Sequence, residues 1–389
     1  MANNNNKDKC NVPHLRFPEF SGEWKKCTIG ELAIKVGSGV TPRGGESVYK
    51  TDGYPFVRSQ NVGLGHLILD DIAFIDEETH LRQKSTELKL EDVLLNITGA
   101  SIGRSALVNE QVVGGNVNQH VCIIRTKENL ISSFLCNFLL SNYGQRQIDS
   151  FQAGGNRQGL NFEQIKSIKI AIPSTKEQTK VAKLLQLIEE RIATQNKIIE
   201  DLKKLKSAIR KKVFVSLKEE HTESCEINQL LTYEQPTAYI VTNDEYSTDT
   251  TLIPVLTANK GFVLGYTNED FGIYQKGECI IFDDFTMDAK YVSFPFKVKS
   301  SAIKILTAKP NVNLRFMFEY LSYLELKSEE HKRHYISEIA SLVVELPSKE
   351  MQNKIASLMT SLDNKLALEE NTKVKYEDEK QYLLSQMFI

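Results

Sequence analysis

Loops in two parts of this chain of 389 residues carry side chains of the types that contact nucleic-acid bases. Arginine can donate two hydrogen bonds to guanine, asparagine or glutamine can pair similarly with adenine, and glycine lets backbone approach phosphate. Segments such as GSGVTPRGG, TGASIGR and GGNVNQH hold these residues in the first part. The first set of candidates for base or phosphate contact comprises Thr41, Arg43, Arg58, Gln60, Asn61, Arg104, Asn116, Asn118, Gln119, His120, Asn156, Arg157 and Gln158.

A second set of candidates occupies equivalent loops in the later part of the chain. For any single polar loop residue, plain solvation or turn capping is the simpler explanation, so the clustering across separate loops is what favours a binding surface. Asp283 and Asp284 could accept hydrogen bonds from cytosine amino groups, but bracing of nearby lysines or solvation explains them more simply. The second set comprises Thr257, Asn259, Lys260, Thr286, Lys290, Tyr291, Lys297, Lys299, Lys332, Arg333 and His334.

The sequence offers no catalytic motif. It contains no GxxxxGK[ST] phosphate loop, no GxGxxG, no HExxH and no GxSxG. Short acidic patterns imitate a metal-dependent nuclease site, but they arise freely in a chain with 25% charged residues, so solvated charge is the simpler explanation. These patterns are the ELK triplets at 87–89 and 325–327, with Asp70, Asp71 and Asp76 upstream of the first. A nuclease using Mg²⁺ stays a rival interpretation, and we predict no catalytic residue.

Composition and charge narrow the classes of protein. No apolar run approaches a membrane span, and the start MANNNNKDKC lacks the apolar core of a signal peptide, so we expect a cytoplasmic protein. The six cysteines are scattered without a CxxC or Cys/His cluster, which favours reduced thiols and no metal site. Net charge is −2, with +1 over residues 24–172 and −6 over residues 225–346. Any nucleic-acid site must therefore be a local patch.

An internal repeat organises the elements that position these loops. Residues 173–214 match residues 347–388 at a constant offset and without a gap, from Pro173 opposite Pro347 to Phe214 opposite Phe388. Each copy begins with Pro-Ser and a nearby Glu, which predicts a helix start. Apolar residues then recur at alternating spacings of three and four, the pattern of a coiled coil. The predicted seam residues are Val181, Leu185, Ile188, Ile192, Gln195, Ile199, Leu202, Ile355, Met359, Leu362, Leu366, Glu369 and Tyr376.

The long separation of the two copies indicates a duplicated module rather than a solenoid. Each helix would be roughly 55 to 60 Å long at about 1.5 Å per residue. Because the second β-rich domain must follow one helix and precede the other, connectivity predicts an antiparallel pair. Gln195 and Glu369 occupy equivalent central positions in the seam. They could meet and set the register, or either could extend into water.

Short β-rich runs separated by turn residues fill both parts ahead of the helices, with a helical pattern at 130–148. Aligning HVCIIRT with SAIKILT places His120 opposite Ser301 and Val121 opposite Ala302. We predict an α+β fold with pseudo-two-fold internal duplication, in which two β-rich domains are joined by two long antiparallel coiled-coil helices. The predicted boundaries are a disordered segment at 1–12, a β-rich domain at 13–172, a helix at 173–218, a second β-rich domain at 219–346 and a second helix at 347–389.

From about residue 13 onward the chain resembles the specificity subunit of type I restriction-modification systems. The resemblance rests on LRFPEFSGEW, on DVLLNITGASIGRSALV followed by NVNQH, and on ECIIFDDFT with KYVSFPFKVKSSAIKIL. Its most specific part is the repeated strand–Pro–Ser–helix element, present as IAIPSTKEQTKVAKLL and VELPSKEMQNKIASLM.

The resemblance implies a non-catalytic subunit that binds double-stranded DNA. Each of two target-recognition domains would read one half of a bipartite, asymmetric sequence, while the helices set the spacer and dock partners. It also implies assembly with two methyltransferase subunits that bind S-adenosylmethionine and two endonuclease/translocase subunits that use ATP and Mg²⁺. No cofactor is then expected in this chain. A coiled-coil adaptor that touches no nucleic acid is the alternative.

Overall fold

Strands and helices follow the same order in two parts of the chain. The computed structural model describes residues 11–152, 159–217, 222–257, 261–326 and 335–389. Contacts divide the chain into a first unit, Met1–Asn196 with Asn371–Ile389, and a second unit, Lys197–Glu370. Each unit therefore holds one β-rich domain and a part of each long helix.

The first unit contains nine strands and five short helices among the described residues. Its strands are β1 (Lys25–Thr28), β2 (Ala33–Ser38), β3 (Tyr54–Val57), β4 (Ala73–Ile75), β5 (Val93–Asn96), β6 (Ser105–Leu107), β7 (Asn116–Val117), β8 (Val121–Thr126) and β9 (Lys169–Ile172). Its short helices are α1 (Ile29–Leu32), α2 (Glu77–Arg82), α3 (Ser132–Leu140), α4 (Asn142–Gln152) and α5 (Phe162–Ser167). Its 3-10 turns are Gly45–Val48, Ser59–Asn61, Lys84–Thr86 and Gly99–Ser101.

The remaining elements are the two long helices and those of the second unit. The helices are α6 (Thr175–Leu217), α7 (Ile227–Leu230), α8 (Leu314–Tyr323) and α9 (Lys349–Gln386). The strands are β10 (Glu223–Glu226), β11 (Leu231–Glu234), β12 (Ile253–Leu256), β13 (Val263–Thr267), β14 (Cys279–Asp283), β15 (Ala289–Val292), β16 (Lys297–Val298), β17 (Ile303–Ala308) and β18 (Val343–Leu346). Short turns of other types are the 3-10 helix Pro236–Tyr239 and the π-helix Tyr335–Ile339.

Sheet topology repeats strand for strand. The first unit has a four-stranded sheet β2-β8-β5-β6, a three-stranded sheet β4-β3-β7 and the pair β1-β9. The second unit has β11-β17-β14-β15, β13-β12-β16 and β10-β18 in the same roles. Each three-stranded sheet contains one parallel ladder, between β3 and β7 in the first unit and between β12 and β16 in the second. The predicted α+β fold with internal duplication is confirmed.

Each four-stranded sheet lies between two hydrophobic cores because its central strands are apolar on both faces. In β5, Val93 and Leu95 join the core that contains the helices, while Leu94 joins the core under the three-stranded sheet. In β14, Ile280 and Phe282 join the helix-side core of the second unit, and the alternate residues join the other. Successive side chains of a central strand therefore pack alternately into the two cores, which holds the sheet from both faces.

Strand register corrects the predicted alignment of the domains by one position. β8 begins at Val121 and β17 begins at Ile303, so Val121 is equivalent to Ile303 rather than to Ala302. Both strands show the same order of four buried positions followed by two half-buried positions. A slip of one position would exchange the two faces of the strand, so the shared burial pattern determines the register.

Gln178 and Gln352, which are identical residues at equivalent positions of the repeat, have equivalent structural roles. Gln178 and Gln352 each donate from Nε2 to the carbonyl of the proline that begins their repeat, at 2.9 Å in both. Gln178 Oε1 accepts from the Ile131 amide at 2.9 Å, and Gln352 Oε1 accepts from the Asn313 amide at 2.8 Å. Each glutamine thus attaches a long helix to the loop ahead of α3 or α8.

The long helices are antiparallel within each unit. In the first unit Glu189 pairs with Lys380 and Arg191 Cζ lies 5.9 Å from the Tyr376 ring centroid. In the second unit Lys206 pairs with Asp363, and Lys203 Nζ lies 2.9 Å from Glu370 Oε1. Because higher numbers in α6 face lower numbers in α9, the direction predicted from connectivity is confirmed.

The predicted seam residues lie at the inner side of the helices. Gln195 is 6% exposed, so its amide does not extend into water. Glu369 is half-buried and pairs with Lys365 one turn away. The buried seam residues are Val181, Leu185, Ile188, Ile192, Gln195, Ile199, Ile355 and Met359. The half-buried ones are Leu202, Leu362, Leu366, Glu369 and Tyr376.

The N-terminal segment predicted as disordered at 1–12 falls in part outside the described residues. Residues 1–10 are outside them, whereas the Asn11 carbonyl accepts a hydrogen bond from the Trp24 amide at 2.8 Å. Folded structure therefore begins no later than Asn11. No helix in the described parts of the chain combines the length and apolar character needed to cross a membrane.

Candidate nucleic-acid interface

Three loops of the first unit meet at one edge of its sheets. The carbonyl at the end of β3 accepts from the Asn118 amide at 3.1 Å, which joins the loops after β3 and β7. The Ile97 amide donates to the His120 carbonyl at 3.0 Å, which joins the loop after β5. Asn96 Nδ2 donates to the Ser59 carbonyl at 2.8 Å. We call this surface the first loop edge, and it comprises residues 58–61, 97–104 and 118–120.

The side chains of Arg58 and Gln60 extend from the turn after β3 and share one acidic partner. Arg58 Nη2 donates to the Asp71 carbonyl at 2.6 Å and to Asp71 Oδ2 at 3.1 Å. Gln60 Nε2 donates to the same carboxylate oxygen at 2.6 Å. The Arg58 guanidinium also lies over the Tyr49 ring, with Cζ 5.3 Å from the centroid. The two candidate base-contacting side chains are thus held as a group.

His120 and its neighbours form the other side of the first loop edge. Thr98 Oγ1 lies 2.7 Å from His120 Nδ1, and Gln119 Nε2 lies 3.4 Å from His120 Nε2. The Asn118 side chain accepts from the His120 amide at 3.0 Å and so shapes the turn. Thr98 also pairs with Gly159 in an isolated β-bridge. Thr98, Gln119 and His120 thus extend the surface that begins at Arg58, whereas the side chain of Asn118 is buried.

The second unit forms the same surface through equivalent hydrogen bonds. The Lys299 amide donates to the carbonyl at the end of β12 at 2.9 Å, as Asn118 does at the end of β3. The Asp284 amide donates to the Ala302 carbonyl at 3.0 Å, which joins the loop after β14. Thr257 follows β12 directly, in the position that Arg58 has after β3. We call this surface the second loop edge, and it comprises residues 257, 283–288 and 299–302.

The predicted contact residues differ in accessibility. Exposed ones are Arg43, Gln60, Arg104, Gln119, Thr286 and Lys299. Half-buried ones are Thr41, Arg58, His120, Thr257, Lys290 and Tyr291. Buried ones are Asn61, Asn116, Asn118 and Lys297. Predicted residues that lie outside the described part of the chain are Asn156, Arg157, Gln158, Asn259, Lys260, Lys332, Arg333 and His334.

Burial corrects the prediction for two asparagines of the first unit. Asn61 is 1% exposed, accepts from the Arg58 amide at 3.0 Å and donates to the Ile68 carbonyl at 2.9 Å. Asn116 is fully buried, with Oδ1 2.7 Å from His80 Nδ1. Their side chains make their hydrogen bonds inside the domain, so they brace the loops rather than face a ligand.

Burial also corrects the prediction for Lys297, which is fully buried. Its Nζ lies 2.6 Å from Glu269 Oε2 and donates to the Phe271 carbonyl at 2.8 Å. The Lys297 ammonium beside Glu269 holds the pKa of that carboxyl at about 2, well below its ordinary value. A cation paired in this way stabilises the domain and does not contribute to a DNA-facing patch.

Two further candidates of the second unit, Tyr291 and Lys290, lie on β15 and differ in their partners. The Tyr291 ring faces α8, where Arg315 Cζ lies 5.0 Å from its centroid. Lys290 Nζ pairs with Asp288 at 2.9 Å. Among the candidates described for this unit, the second loop edge thus keeps Thr257, Thr286 and Lys299, and Lys290 borders it through Asp288.

Two of the acidic residues that imitate a nuclease site, Asp76 and Glu87, have structural partners. Asp76 caps α2 by accepting from the Thr79 amide at 2.9 Å, and Glu87 pairs with Lys84 at 2.9 Å. No group of three potential metal ligands occurs within the described residues. In the second unit, Asp284 pairs at 3.4 Å with the equally buried Lys304. The interpretation of Asp284 as a brace for a lysine is confirmed.

The structure adds Asp71 and Thr98 to the candidates that the sequence singles out for base contact. Asp71 lies beside Arg58 and Gln60, and Thr98 lies beside His120. The sequence does not single out Asp71, because Asp70 beside it has the same side chain and is one position nearer to Arg58. Donors and acceptors of these types, on short loops supported by sheets, suit contact with base edges and phosphates.

Comparisons with known proteins place this geometry in a family. The family model described as type I restriction modification DNA specificity domain matches residues 21–204 and again residues 219–377. The specificity subunit of the type I restriction enzyme EcoR124I/EcoR124II from Escherichia coli is 41% identical over 142 residues, which are 35% of this chain and 35% of that protein. The chain therefore aligns with about a third of that relative's length.

Two similarities extend over nearly the whole chain. The putative type I restriction enzyme MjaX specificity subunit from Methanocaldococcus jannaschii is 22% identical over 407 aligned positions, covering 96% of this chain and 95% of that protein. The crystal structure of a type I restriction-modification S subunit from M. genitalium superposes with a TM-score of 0.62 at 16% identity, covering 97% and 99%. Since the specificity-domain model matches twice and covers most of the sequence, the chain belongs to the type I restriction-modification DNA specificity family and has two specificity domains.

Proposed function

We propose that this chain is the DNA-reading subunit of a type I restriction-modification complex and that each unit reads one half of a bipartite, asymmetric site. The observation that carries the proposal is the repeated loop edge. The same backbone hydrogen bonds gather the same loops on both duplicated frames. The side chains differ, with Arg58, Gln60 and His120 on one edge and Thr257 and Lys299 on the other. One scaffold with two different polar surfaces suits two different half-sites.

Catalysis would belong to partner chains. Two methyltransferase subunits would supply S-adenosylmethionine chemistry, and two endonuclease/translocase subunits would supply ATP- and Mg²⁺-dependent chemistry, in the cytoplasm. The second domain carries a net charge of −6 over residues 225–346, so phosphate attraction by this chain alone is weak there. We expect the isolated chain to bind DNA poorly and the methyltransferase subunits to add phosphate contacts. Tight binding of the target by the purified chain at physiological salt would contradict this expectation.

The long helices would set the spacer between half-sites and dock the methyltransferase subunits. Seven residues inserted between Asn196 and Lys197, and seven more between Glu370 and Asn371, would preserve the heptad phase of both helices. The added length is about 10 Å, or about three base pairs of B-DNA. The methylated sequence should then keep both half-sites and gain a longer spacer. An unchanged spacer would exclude the helices as its determinant.

The methylation pattern of a host genome tests the whole proposal. The chain would be produced with the methyltransferase subunits of its system, and methylated adenines would be mapped with and without it. A bipartite motif that depends on the chain supports the DNA reader. Exchange of residues 24–166 for another such domain should change one half of that motif only. Loss of motif selectivity in Arg58→Ala or Gln60→Ala would support direct reading, whereas full tolerance would favour the coiled-coil adaptor.

A further inference from the structure

An exposed carboxylate, that of Asp71, contacts Arg58 and Gln60 of the first loop edge. The Asp71 side chain is 78% exposed and lies in the turn ahead of β4. A like charge close to phosphate lowers affinity, so its position beside two candidate readers needs another explanation. Asp70 beside it is also an exposed aspartate, yet it makes no hydrogen bond or ion pair with any residue in the described ranges.

We propose that Asp71 is a specificity-determining positioning residue that fixes the hydrogen-bonding faces of Arg58 and Gln60. The inference rests on the proposed function and assigns a role to a residue outside the predicted contact set. Both side-chain contacts of Asp71 use one oxygen, Oδ2, which accepts from Arg58 Nη2 at 3.1 Å and from Gln60 Nε2 at 2.6 Å. One carboxylate thus orients two neighbouring side chains.

The guanidinium of Arg58 is constrained from two directions. Asp71 accepts from Nη2 through its carbonyl and its carboxylate, and the Tyr49 ring covers one face of the group. Nη1 has no hydrogen-bond partner among the residues that the structure describes. The side chain is 18% exposed, so only its outer edge reaches solvent. Because Nη2 donates both of its hydrogens to Asp71, Nη1 is the group left to donate to a guanine acceptor, O6 or N7, without a large loss of side-chain entropy.

The amide of Gln60 is oriented by the chemistry of its partner. A carboxylate can only accept, so the group nearest to Asp71 must be the NH₂ end of the amide. Oε1 then points elsewhere and is available as an acceptor for an exocyclic amino group such as that of adenine. An asparagine at position 71 could either donate or accept, so it would no longer select one orientation of Gln60. The negative charge of Asp71 is therefore the feature that the proposal requires.

Asp71→Asn is the informative variant because it preserves shape and the backbone carbonyl contact with Arg58. Wild type, Asp71→Asn and the matched control Asp70→Asn would each be produced with the methyltransferase subunits in a host, and adenine methylation would be mapped on its genomic DNA. We expect Asp71→Asn to lose about tenfold of the discrimination at one or two adjacent base pairs of one half-site. The other half-site and the spacer should stay as in wild type, and Asp70→Asn should keep the whole motif.

Two outcomes would overturn the proposal. Discrimination in Asp71→Asn equal to that in Asp70→Asn would show that Asp71 does not position the readers. Stronger methylation at an unchanged motif would show that the carboxylate only repels DNA. Thermal midpoints of the purified complexes separate these effects from misfolding. If Asp71→Asn fails to fold, Arg58→Lys, which cannot present a planar fork, should relax the same half-site, and an unchanged motif would again overturn the proposal.

The outcome also separates this inference from the proposed function. If the wild-type chain yields no bipartite motif, the proposed function itself fails. If the wild-type motif appears and Arg58→Ala relaxes it while Asp71→Asn does not, only the role of Asp71 fails.

Discussion

Replacement of Glu319 by glutamine should destabilise the second unit through a buried ion network. Glu319 lies on α8, and its side chain is fully buried. It accepts from Arg210 Nε on α6 at 2.8 Å and from Arg315 Nη2 at 2.6 Å. Lys206 Nζ lies 3.6 Å away and pairs with Asp363 on α9. Glu319 therefore links the β-rich domain to α6, and the network reaches α9 through Asp363 inside this unit.

The magnitude follows from burial of the network. Removing one partner of a buried ion pair costs about 3–5 kcal/mol. The three cationic side chains are 15% to 20% exposed, so water screens part of the charge left behind, and glutamine keeps one acceptor oxygen. We expect a loss of about 2–3 kcal/mol in the free energy of unfolding. For a unit of this size that corresponds to a decrease in Tm of about 5–10 °C.

Circular dichroism during thermal unfolding measures the change in Tm, and hydrogen exchange locates it. Amides of α8 (Leu314–Tyr323) should exchange faster in Glu319→Gln, while those of the equivalent helix α3 (Ser132–Leu140) should be unaffected. Glu200→Gln is the matched control because its pair with Lys204 is exposed on α6. Such a pair contributes little to stability, so the control should retain the wild-type Tm. A Tm for Glu319→Gln equal to that of the control would refute the argument.

Three further predictions concern buried titratable groups. Lys297→Met should lower Tm, because it leaves the Glu269 carboxylate without its partner, and should leave the methylated motif unchanged. The pKa of Glu269 is held at about 2 in the folded state, so its pair with Lys297 should stabilise the protein fully at pH values above the unfolded pKa of Glu269. This stabilisation should be lost as pH falls from about 5 to about 2, and the free energy of unfolding from urea titrations at several pH values measures the loss. Burial raises the pKa of the thiols of Cys122 and Cys279 to about 12 and that of Cys136 to about 11. Iodoacetamide at pH 8 should therefore modify these three cysteines only after the protein unfolds, and mass spectrometry measures the modification.

The architecture could be predicted because its signals are periodic and repeated. The constant offset between the two copies and the heptad spacing are properties of the sequence alone, and they specify paired helices whatever the domains contain. The single helical pattern at 130–148 is instead divided into α3 and α4. Ser141 adopts an extended backbone there, and its Oγ accepts from the Gly144 amide at 3.3 Å. A Cβ at Gly144 would lie 2.3 Å from the Phe138 carbonyl oxygen, so this turn depends on close packing that periodicity does not encode.

The candidate site could be predicted only at the level of its loops. Arg58 and Asn61 belong to one short turn and have similar polarity, yet Arg58 reaches the surface and Asn61 is buried. The difference arises because the Asn61 amide bonds the Arg58 amide and the Ile68 carbonyl inside the domain, whereas the Arg58 guanidinium bonds the exposed Asp71. Lys297 has the residue type of a phosphate contact, yet Glu269 holds it in the interior. Residue type identifies a possible contact, and tertiary packing decides whether it is available.

Two lysines that lie three heptads after the seam residues Leu185 and Met359 form equivalent ion pairs. Lys206 and Lys380 are identical residues at equivalent positions of the repeat, and the heptad pattern assigns both to positions where apolar residues are expected. Lys380 pairs with Glu189 in the first unit, and Lys206 pairs with Asp363 in the second. Glu189 and Asp363 are equivalent positions of the repeat as well. Each lysine thus has a carboxylate on the facing helix, which makes a cation tolerable in a largely apolar seam.

Lys380 and Lys206 differ in the contact that each makes with the β-rich domain of its own unit. In the first unit Lys380 Nζ also donates to the Leu64 carbonyl at 3.1 Å, within the β-rich domain. In the second unit Lys206 Nζ lies 3.6 Å from Glu319 of α8. The helix-to-helix pair is therefore common to both units, whereas the bond from helix to domain is particular to each. A domain exchanged into residues 24–166 should consequently fold best when it supplies an acceptor at the place of the Leu64 carbonyl, because otherwise the buried ammonium of Lys380 loses one of its hydrogen bonds.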